Sequence, residues 1–542
     1  MRIKLILTSL FLAGAALSGV AQTHAEGEEY YKADQINNAK ELLLRNLNNP
    51  GTDKAVADFY LGLIAMEEGK TADAAKYFNE GAQANPEYPY NFVGLGYVSL
   101  KNGDAKIAEQ NFKQAEKLGK KDASVQVAIA RSYYNVDPTL YQKQIDKALE
   151  KARKTNIKNP DIYIFEGDML KDTKDWGGSA AKYEMAANYD NNATAAYVKY
   201  ANLFTQVNPQ YAINMLGKLL ELNPNSALGQ REIASAYYNN QNFDKAVEAY
   251  SKYINNPNHF KQDEDRYAFL LFYGGNYQEG YDYSSQLLKA NPQNFTAQRY
   301  QFMNAAQIPA LKDQLLPMAE ALYKAHQSNP ANKFAPIDYI LIAEEFNAAK
   351  RPDEAVAVLE EAIKDDPTNA NYNKQLAMAY VGESKLPQAA DAYEGYIQKT
   401  EKPNFNDFIQ QATFAFYAAV QSKDNAAEAN RYYDMTTRYA DMAAKEMPNH
   451  YKPKKLAGDI AKQQASADQV ESAAMPAYQE ALALLEASEN PARYKNDAME
   501  MYNYLGNYYL TQNDKAKAKE YFSKVLEYDP DNADYRKFVE GL

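Results

Sequence analysis

The sequence predicts an all-α solenoid of about 12 to 13 stacked helical hairpins. Three observations carry this. Helical blocks recur every 34 residues, with units opening at Ala55, Pro89 and Ala123, at Ala227 and Lys261, and at Pro336 and Ala370. A pair ending in a small residue returns at one place in each unit: Leu61-Gly62, Leu95-Gly96, Ile129-Ala130, Ile233-Ala234, Tyr267-Ala268, Ile342-Ala343, Leu376-Ala377 and Leu505-Gly506. A small residue followed four positions later by a large one marks the second helix, as in Ala74/Phe78, Ala108/Phe112, Ala246/Tyr250, Ala355/Leu359, Ala389/Tyr393 and Ala518/Phe522. Antiparallel helices approach closely only where side chains are small, and a large residue one turn on fills the gap toward the next unit.

In chain order, residues 1–21 read as a secretory signal. Arg2 and Lys4 precede the short apolar run Leu5–Val20, and small residues at Gly19 and Ala21 place cleavage before Gln22, with Ala25 as the alternative end. The run is too short for a comfortable membrane span, so no transmembrane anchor is expected after cleavage. Residues 22–54 form an N-terminal helical cap, and residues 55–330 hold repeats one to eight. Prolines close the second helices at Pro86, Pro160, Pro224, Pro292, Pro330, Pro367 and Pro530. The third unit carries about six extra residues around Asn135-Val136-Asp137-Pro138, the fourth has Ser179 where Ala is usual, and Pro317 implies a late start for the second helix of the eighth. Residues 331–403 are two regular repeats, 404–490 are longer and irregular hairpins, and 491–542 hold the last repeat and a C-terminal cap.

The last unit reads Tyr502-x-x-Leu505-Gly506-x-x-Tyr509, then Ala518-x-x-x-Phe522-x-x-Val525 and Pro530. With Leu61-Gly62, Ala74-x-x-x-Phe78-x-x-x-Ala82 and Pro86 in the opening unit, the chain resembles the tetratricopeptide repeat (TPR) family. The resemblance implies a right-handed superhelix whose first helices line a concave groove for protein or peptide partners. Transferring the family's groove register gives Phe59, Leu63 and Met66, then Tyr90, Val93, Tyr97 and Leu100, as an apolar and aromatic N-terminal surface. In the middle it gives Arg231, Tyr238, Asp265, Phe269, Phe272 and Arg299, a mixed surface with two cations among aromatics. The family's carboxylate clamp is not complete here: the corresponding positions hold Val198/Asn202, Arg231/Ser235 and Lys374/Met378.

Composition narrows the chemistry. With 59 Lys+Arg against 71 Asp+Glu, the chain lacks the basic footprint that nucleic acid requires. It has no Cys, which removes disulfides, thiolate nucleophiles, Cys-ligated zinc and a lipid-modified N-terminal Cys. The four His, at 24, 259, 326 and 450, form no metal motif, and no spaced oxygen loop for calcium is present. Gly69-Lys70-Thr71 resembles the end of a phosphate loop, but the loop's first glycine would fall at Ile64. No catalytic constellation, cofactor or metal is therefore expected. The expected protein is a non-enzymatic exported scaffold, periplasmic in a Gram-negative envelope, soluble and not a lipoprotein. It would bind envelope proteins or peptides in assembly, secretion or nutrient-uptake complexes. The alternative is a glycan- or peptidoglycan-associated module, supported by the 46 Tyr, whose rings can stack on sugars.

Overall fold

The computed structural model describes residues 22–467, 469–470 and 472–542, and the expected signal segment, 1–21, lies outside the described residues. Among the described residues the chain is all-α, dividing into two compact units at Ser284/Ser285. The first unit stacks hairpins α1/α2 (His24–Lys32, Ile36–Asn46), α3/α4 (Lys54–Glu67, Thr71–Ala84), α5/α6 (Pro89–Lys101, Ala105–Leu118), α7/α8 (Ala123–Val136, Gln142–Thr155) and α9/α10 (Pro160–Asp172, Trp176–Tyr189). It continues through α11/α12 (Thr194–Phe204, Pro209–Leu222), α13/α14 (Ala227–Asn239, Phe243–Ile254), α15 (Gln262–Tyr273) and the start of α16 (Tyr277–Ala290). The second unit holds α17/α18 (Phe295–Ala305, Leu315–Ser328), α19/α20 (Pro336–Ala348, Pro352–Asp365), α21/α22 (Ala370–Gly382, Leu386–Lys399) and α23/α24 (Phe405–Gln421, Ala426–Glu446). It closes with α25/α26 (Lys452–Gln464, Met475–Glu486), α27/α28 (Lys495–Thr511, Lys515–Tyr528) and a single α29 (Ala533–Glu540). The hairpins outnumber the 12 to 13 read from the repeat because the N-terminal cap is itself a hairpin.

The seam between hairpins is a ring laid on bare backbone. Phe78 of α4 is fully buried between Gly62 of α3 and Gly94 of α5, where a Cβ would come within 2.4 and 2.3 Å of the ring. One side chain thus closes its own hairpin and joins it to the next. Phe112 on Gly96 and Phe522 on Gly506 repeat the arrangement.

The intra-hairpin turns have their own rule, less visible in the sequence. One residue turns into the left-handed region, as at Gly69 (φ +73°), Lys174 (+64°), Gln241 (+57°) and Lys350 (+59°). The next N–H then donates back to a carbonyl five residues earlier, as Lys70 does to Ala65 and Asp175 to Leu170. This satisfies carbonyls left free at the helix end.

Irregular units differ where the sequence does. The extra residues after α7 form a turn in which Asp137 accepts from the N–H groups of Thr139 and Leu140. They bring Tyr141 against Tyr133, beside a cleft of about 360 Å³ between α6 and α8. A 3-10 turn over Pro309–Gln314 delays α18, which sets Pro317 in its first turn, where a missing N–H costs nothing. The helices α23 and α24 lengthen to 17 and 21 residues. No helix of the described residues is long and apolar enough to cross a membrane.

Gly167 of α9 faces Tyr183, whose ring would lie 2.5 Å from an added Cβ and is held in place by its hydroxyl bond to Asp168. The ring cannot swing aside. Gly167→Ala is expected to lower stability by about 1–3 kcal/mol in urea unfolding, whereas Gly177→Ala, where a Cβ meets nothing, should leave the midpoint within error.

Candidate functional site

The first helices of the first unit surround a groove, and the chain's own N-terminal helix fills it. α1 reads HAEGEEYYK, too polar to predict burial, yet Gly27 and Tyr30 are buried. Two of its carboxyl groups are answered from repeats far along the chain, while Glu28 pairs with Lys32 of the same helix. Glu29 accepts from the hydroxyls of Thr194 (3.0 Å) and Ser226 (3.4 Å), and Glu26 from the Ala227 N–H (3.1 Å). Those donors stand at the N-termini of α11 and α13, where free N–H groups and the helix dipole favour an anion.

The turn after α1 continues the pattern. Asp34 accepts from Lys171 (2.8 Å) and Lys199 (2.6 Å); Lys199, only 4% exposed, also bonds Asp168 (2.9 Å), which pairs with Arg131 (2.8 Å). Gln35 donates to Glu232 (2.6 Å) and accepts from Arg231 (3.3 Å). On the opposite side Tyr31 donates to Glu67 (2.7 Å), and Tyr60 donates to Glu28 (3.0 Å). The Tyr30 ring meets Phe260 edge-on at 5.4 Å. Ahead of the helix, Gln22 donates to the Pro257 carbonyl (2.5 Å) and Thr23 caps α1.

Burial pushes the Glu26 carboxyl up to about 8, with the facing Glu29 carboxylate adding to the shift. Glu29 is raised as well, burial outweighing the pull of the Thr194 and Ser226 hydroxyls. At Asp168 burial also pushes upward, but the Arg131 and Lys199 cations prevail and hold it at about 2. The two carboxyl sets therefore act in different pH windows. An acid raised above its unfolded value, here 4.5, contributes stability that is complete below that value and is lost as pH climbs through the folded pKa. The depressed Asp168 contributes above its unfolded 3.8 and fails only as pH falls toward 2. The thermal stability of the chain is accordingly expected to fall between pH 5 and pH 8.5, and Glu26→Gln should flatten that slope.

The residues expected to line an open groove are placed differently. Phe59, Met66, Val93, Tyr97 and Leu100 are buried, and Leu63 and Tyr90 are half-buried against the same core. Phe59 packs on Tyr60, Tyr88 and Tyr90, and Tyr60 in turn carries Tyr31 of α1. The two expected cations are engaged within the chain: Arg231 Nε bonds Asp263 at 2.7 Å, and Arg299 makes a paired contact with buried Asp338 at 2.6–3.0 Å. Phe59→Ala is therefore expected to act on folding, costing about 3–5 kcal/mol in urea unfolding.

Tyr238, Phe269 and Phe272 do come together, half-buried, in an aromatic patch at the hairpin turn. Tyr238 lies 5.8 Å from Phe269 and 5.7 Å from Phe243; Phe269 and Phe272 lie 4.5 and 5.2 Å from Tyr273; and Phe272 lies 5.9 Å from Tyr277. Tyr273 is 49% exposed, and exposed Arg266 stands over the Tyr238 ring at 5.7 Å. Half-buried Asp265 lies one residue from that cation. Tyr273, Phe243 and Tyr277 were absent from the sequence expectation because they sit at the hairpin turn, outside the groove register. Among the described residues no group of three or more His, Asp or Glu gathers that could hold a metal ion.

The hairpin stack with its ring-on-glycine seams defines a helical repeat protein. Family models described as tetratricopeptide repeat match residues 203–260, 341–404 and 500–532, so the chain carries tetratricopeptide repeats there. Among solved structures, the C-terminal part of a TPR repeat-containing protein from Cytophaga hutchinsonii is similar over 50% of this chain and 98% of that one, at 19% identity and a TM-score of 0.40. Yeast Tom70 is similar over 86% of this chain and 98% of its own, at 15% identity and a TM-score of 0.28. For pilF of Pseudomonas aeruginosa the figures are 40%, 97%, 19% and 0.28. No curated protein matches the chain.

Proposed function

We propose that the protein is an exported, non-enzymatic scaffold that binds a protein partner through the patch of Tyr238, Phe269, Phe272 and Tyr273 with Arg266. The observation that carries this reading is the contrast between two aromatic surfaces. The N-terminal one is covered by α1, whereas the patch presents Tyr273 and Arg266 at the surface, with half-buried Tyr238, Phe269 and Phe272 beside them. Aromatic rings with Arg are the composition of binding hot spots, and their preset positions reduce the ordering entropy lost on association.

Export is supported by the basic-then-apolar start of the sequence. Cleavage before Gln22 retains the bonds of Gln22, Thr23 and His24, including the Asp53 N–H to the His24 ring (3.0 Å), whereas cleavage after Ala25 removes all three. The setting this reading favours is a Gram-negative envelope, in assembly, secretion or nutrient-uptake complexes.

The test is in-cell crosslinking of the tagged chain, followed by envelope fractionation and mass spectrometry, beside a Phe269→Ala/Tyr273→Ala variant. Loss of hot-spot contacts worth about 2 kcal/mol should reduce capture of a defined envelope protein by about 30-fold, with the helical circular dichroism unchanged. Equal capture by both chains contradicts the patch. Sedimentation with the cell wall and no captured protein would favour a glycan-associated module.

A further inference from the structure

The hairpins of the first unit do not all close alike between their second helices. The residues inserted after α7 hold Tyr141 against Tyr133, with ring centroids 5.2 Å apart and planes at 47°, beside the cleft of about 360 Å³ between α6 and α8. Tyr237 holds the place of Tyr133 in a later repeat, each ten residues after its unit's start at Ala227 or Ala123. There the turn has no insertion. The matching notch, between α12 and α14, is half as large at about 180 Å³, and Lys245 stands over the Tyr237 ring at 5.6 Å.

The larger cleft has an aromatic floor and a charged rim. Half-buried Tyr133 and Tyr141 line it, and buried Phe112 backs Tyr133 at 5.1 Å. On the rim Lys113 pairs with Glu109 (2.9 Å) and Lys151 with Glu116 (2.6 Å). Lys147, exposed near Glu109, has no ion-pair partner among the described residues. The surroundings are basic as well. Residues 101–158, which carry α6, α7 and α8, hold 13 Lys and Arg against 7 Asp and Glu, in a chain with 59 against 71 overall. A cleft set in one sign of charge concentrates ligands of the other.

These features select a ligand chemistry. A volume within the range of about 300–1,000 Å³ suits a small molecule or a short stretch of a chain. Phosphate-rich ligands would meet the Glu109 and Glu116 carboxylates, and a neutral one would leave Lys147 unmatched. Hydroxyl groups both donate and accept, so they match a rim on which Lys113 and Gln144 alternate with Glu109. We propose that the cleft between α6 and α8 binds an acidic sugar, a pyranose ring that carries a carboxylate. Its C–H face lies on the rings of Tyr141 and Tyr133, its carboxylate pairs with Lys147, and its hydroxyls engage the rim. The cleft is a surface distinct from the aromatic patch, and the scaffold reading does not depend on it.

The test is calorimetric titration of the full chain with trigalacturonate and with its neutral methyl ester. The free acid should bind about tenfold more tightly than the ester, and Lys147→Gln should remove that difference. Tyr141→Ala should weaken both ligands by about tenfold. Lys147 is exposed, so its substitution leaves the fold intact even if Tyr141→Ala disturbs the start of α8. Lys245→Gln, in the smaller notch, should change nothing. Absence of trigalacturonate binding overturns the proposal, as does equal binding of acid and ester. Binding that survives Lys147→Gln, or that poly-L-glutamate reproduces, would show attraction by net charge alone and would overturn it too. A partner captured at the patch has no bearing on these titrations, so the two readings fail separately.

Discussion

Lys199 is where the first unit is tied together. It is almost wholly enclosed, and its ammonium lies between Asp168 of the repeat before it and Asp34 of the N-terminal turn. A cation removed from water in this way is tolerable only if its partners stay. Asp168 stays because Arg131 and Tyr183 hold it, and Asp34 stays because Lys171 shares it. Tyr183 rests in turn on Gly167, so the electrostatic centre and the ring-on-backbone seam are joined at one residue. An array of hairpins that contact mainly their neighbours thereby acquires links across more than 160 residues of sequence.

That closure decides which surfaces face a partner. A repeat array normally offers its concave side, and here that side of the first unit is lined by aromatic residues that the chain covers itself. What remains at the surface is the turn edge of α13, α14, α15 and α16, where Tyr273 and Arg266 are exposed and five half-buried rings gather beside them. Within the first unit the groove is filled by the chain itself, and the aromatic patch is not.

The hairpins were legible in the sequence because the seam is a volume rule at fixed spacing. Leu61-Gly62 and Ala74/Phe78 announce the same packing that Leu505-Gly506 and Ala518/Phe522 do, and the helices α5, α7, α13, α19 and α21 begin at the positions the period gives. The site was less legible, for a physical reason. Residues 24–32 carry three Glu and little apolar surface, and nothing local shows that Thr194, Ser226 and the Ala227 N–H donate to two of them. Arg231 and Arg299 likewise look available until Asp263 and Asp338, 32 and 39 residues on, are brought beside them. The register names Tyr238, Phe269 and Phe272, whose rings the fold gathers around Tyr273, which owes its place to the turn that follows it.

The most direct test of this account is a distance in solution. The chain has no Cys, so a spin label placed at Ala25→Cys and a second at Asn255→Cys, both exposed positions, report on α1 and on the loop that Gln22 touches through Pro257. Electron–electron double resonance should give one narrow, short distribution, because the N-terminal helix is seated in the groove in most molecules. A broad distribution extending to long distances would show that the helix does not lie there, and the groove would then be open and the aromatic patch no longer set apart from it.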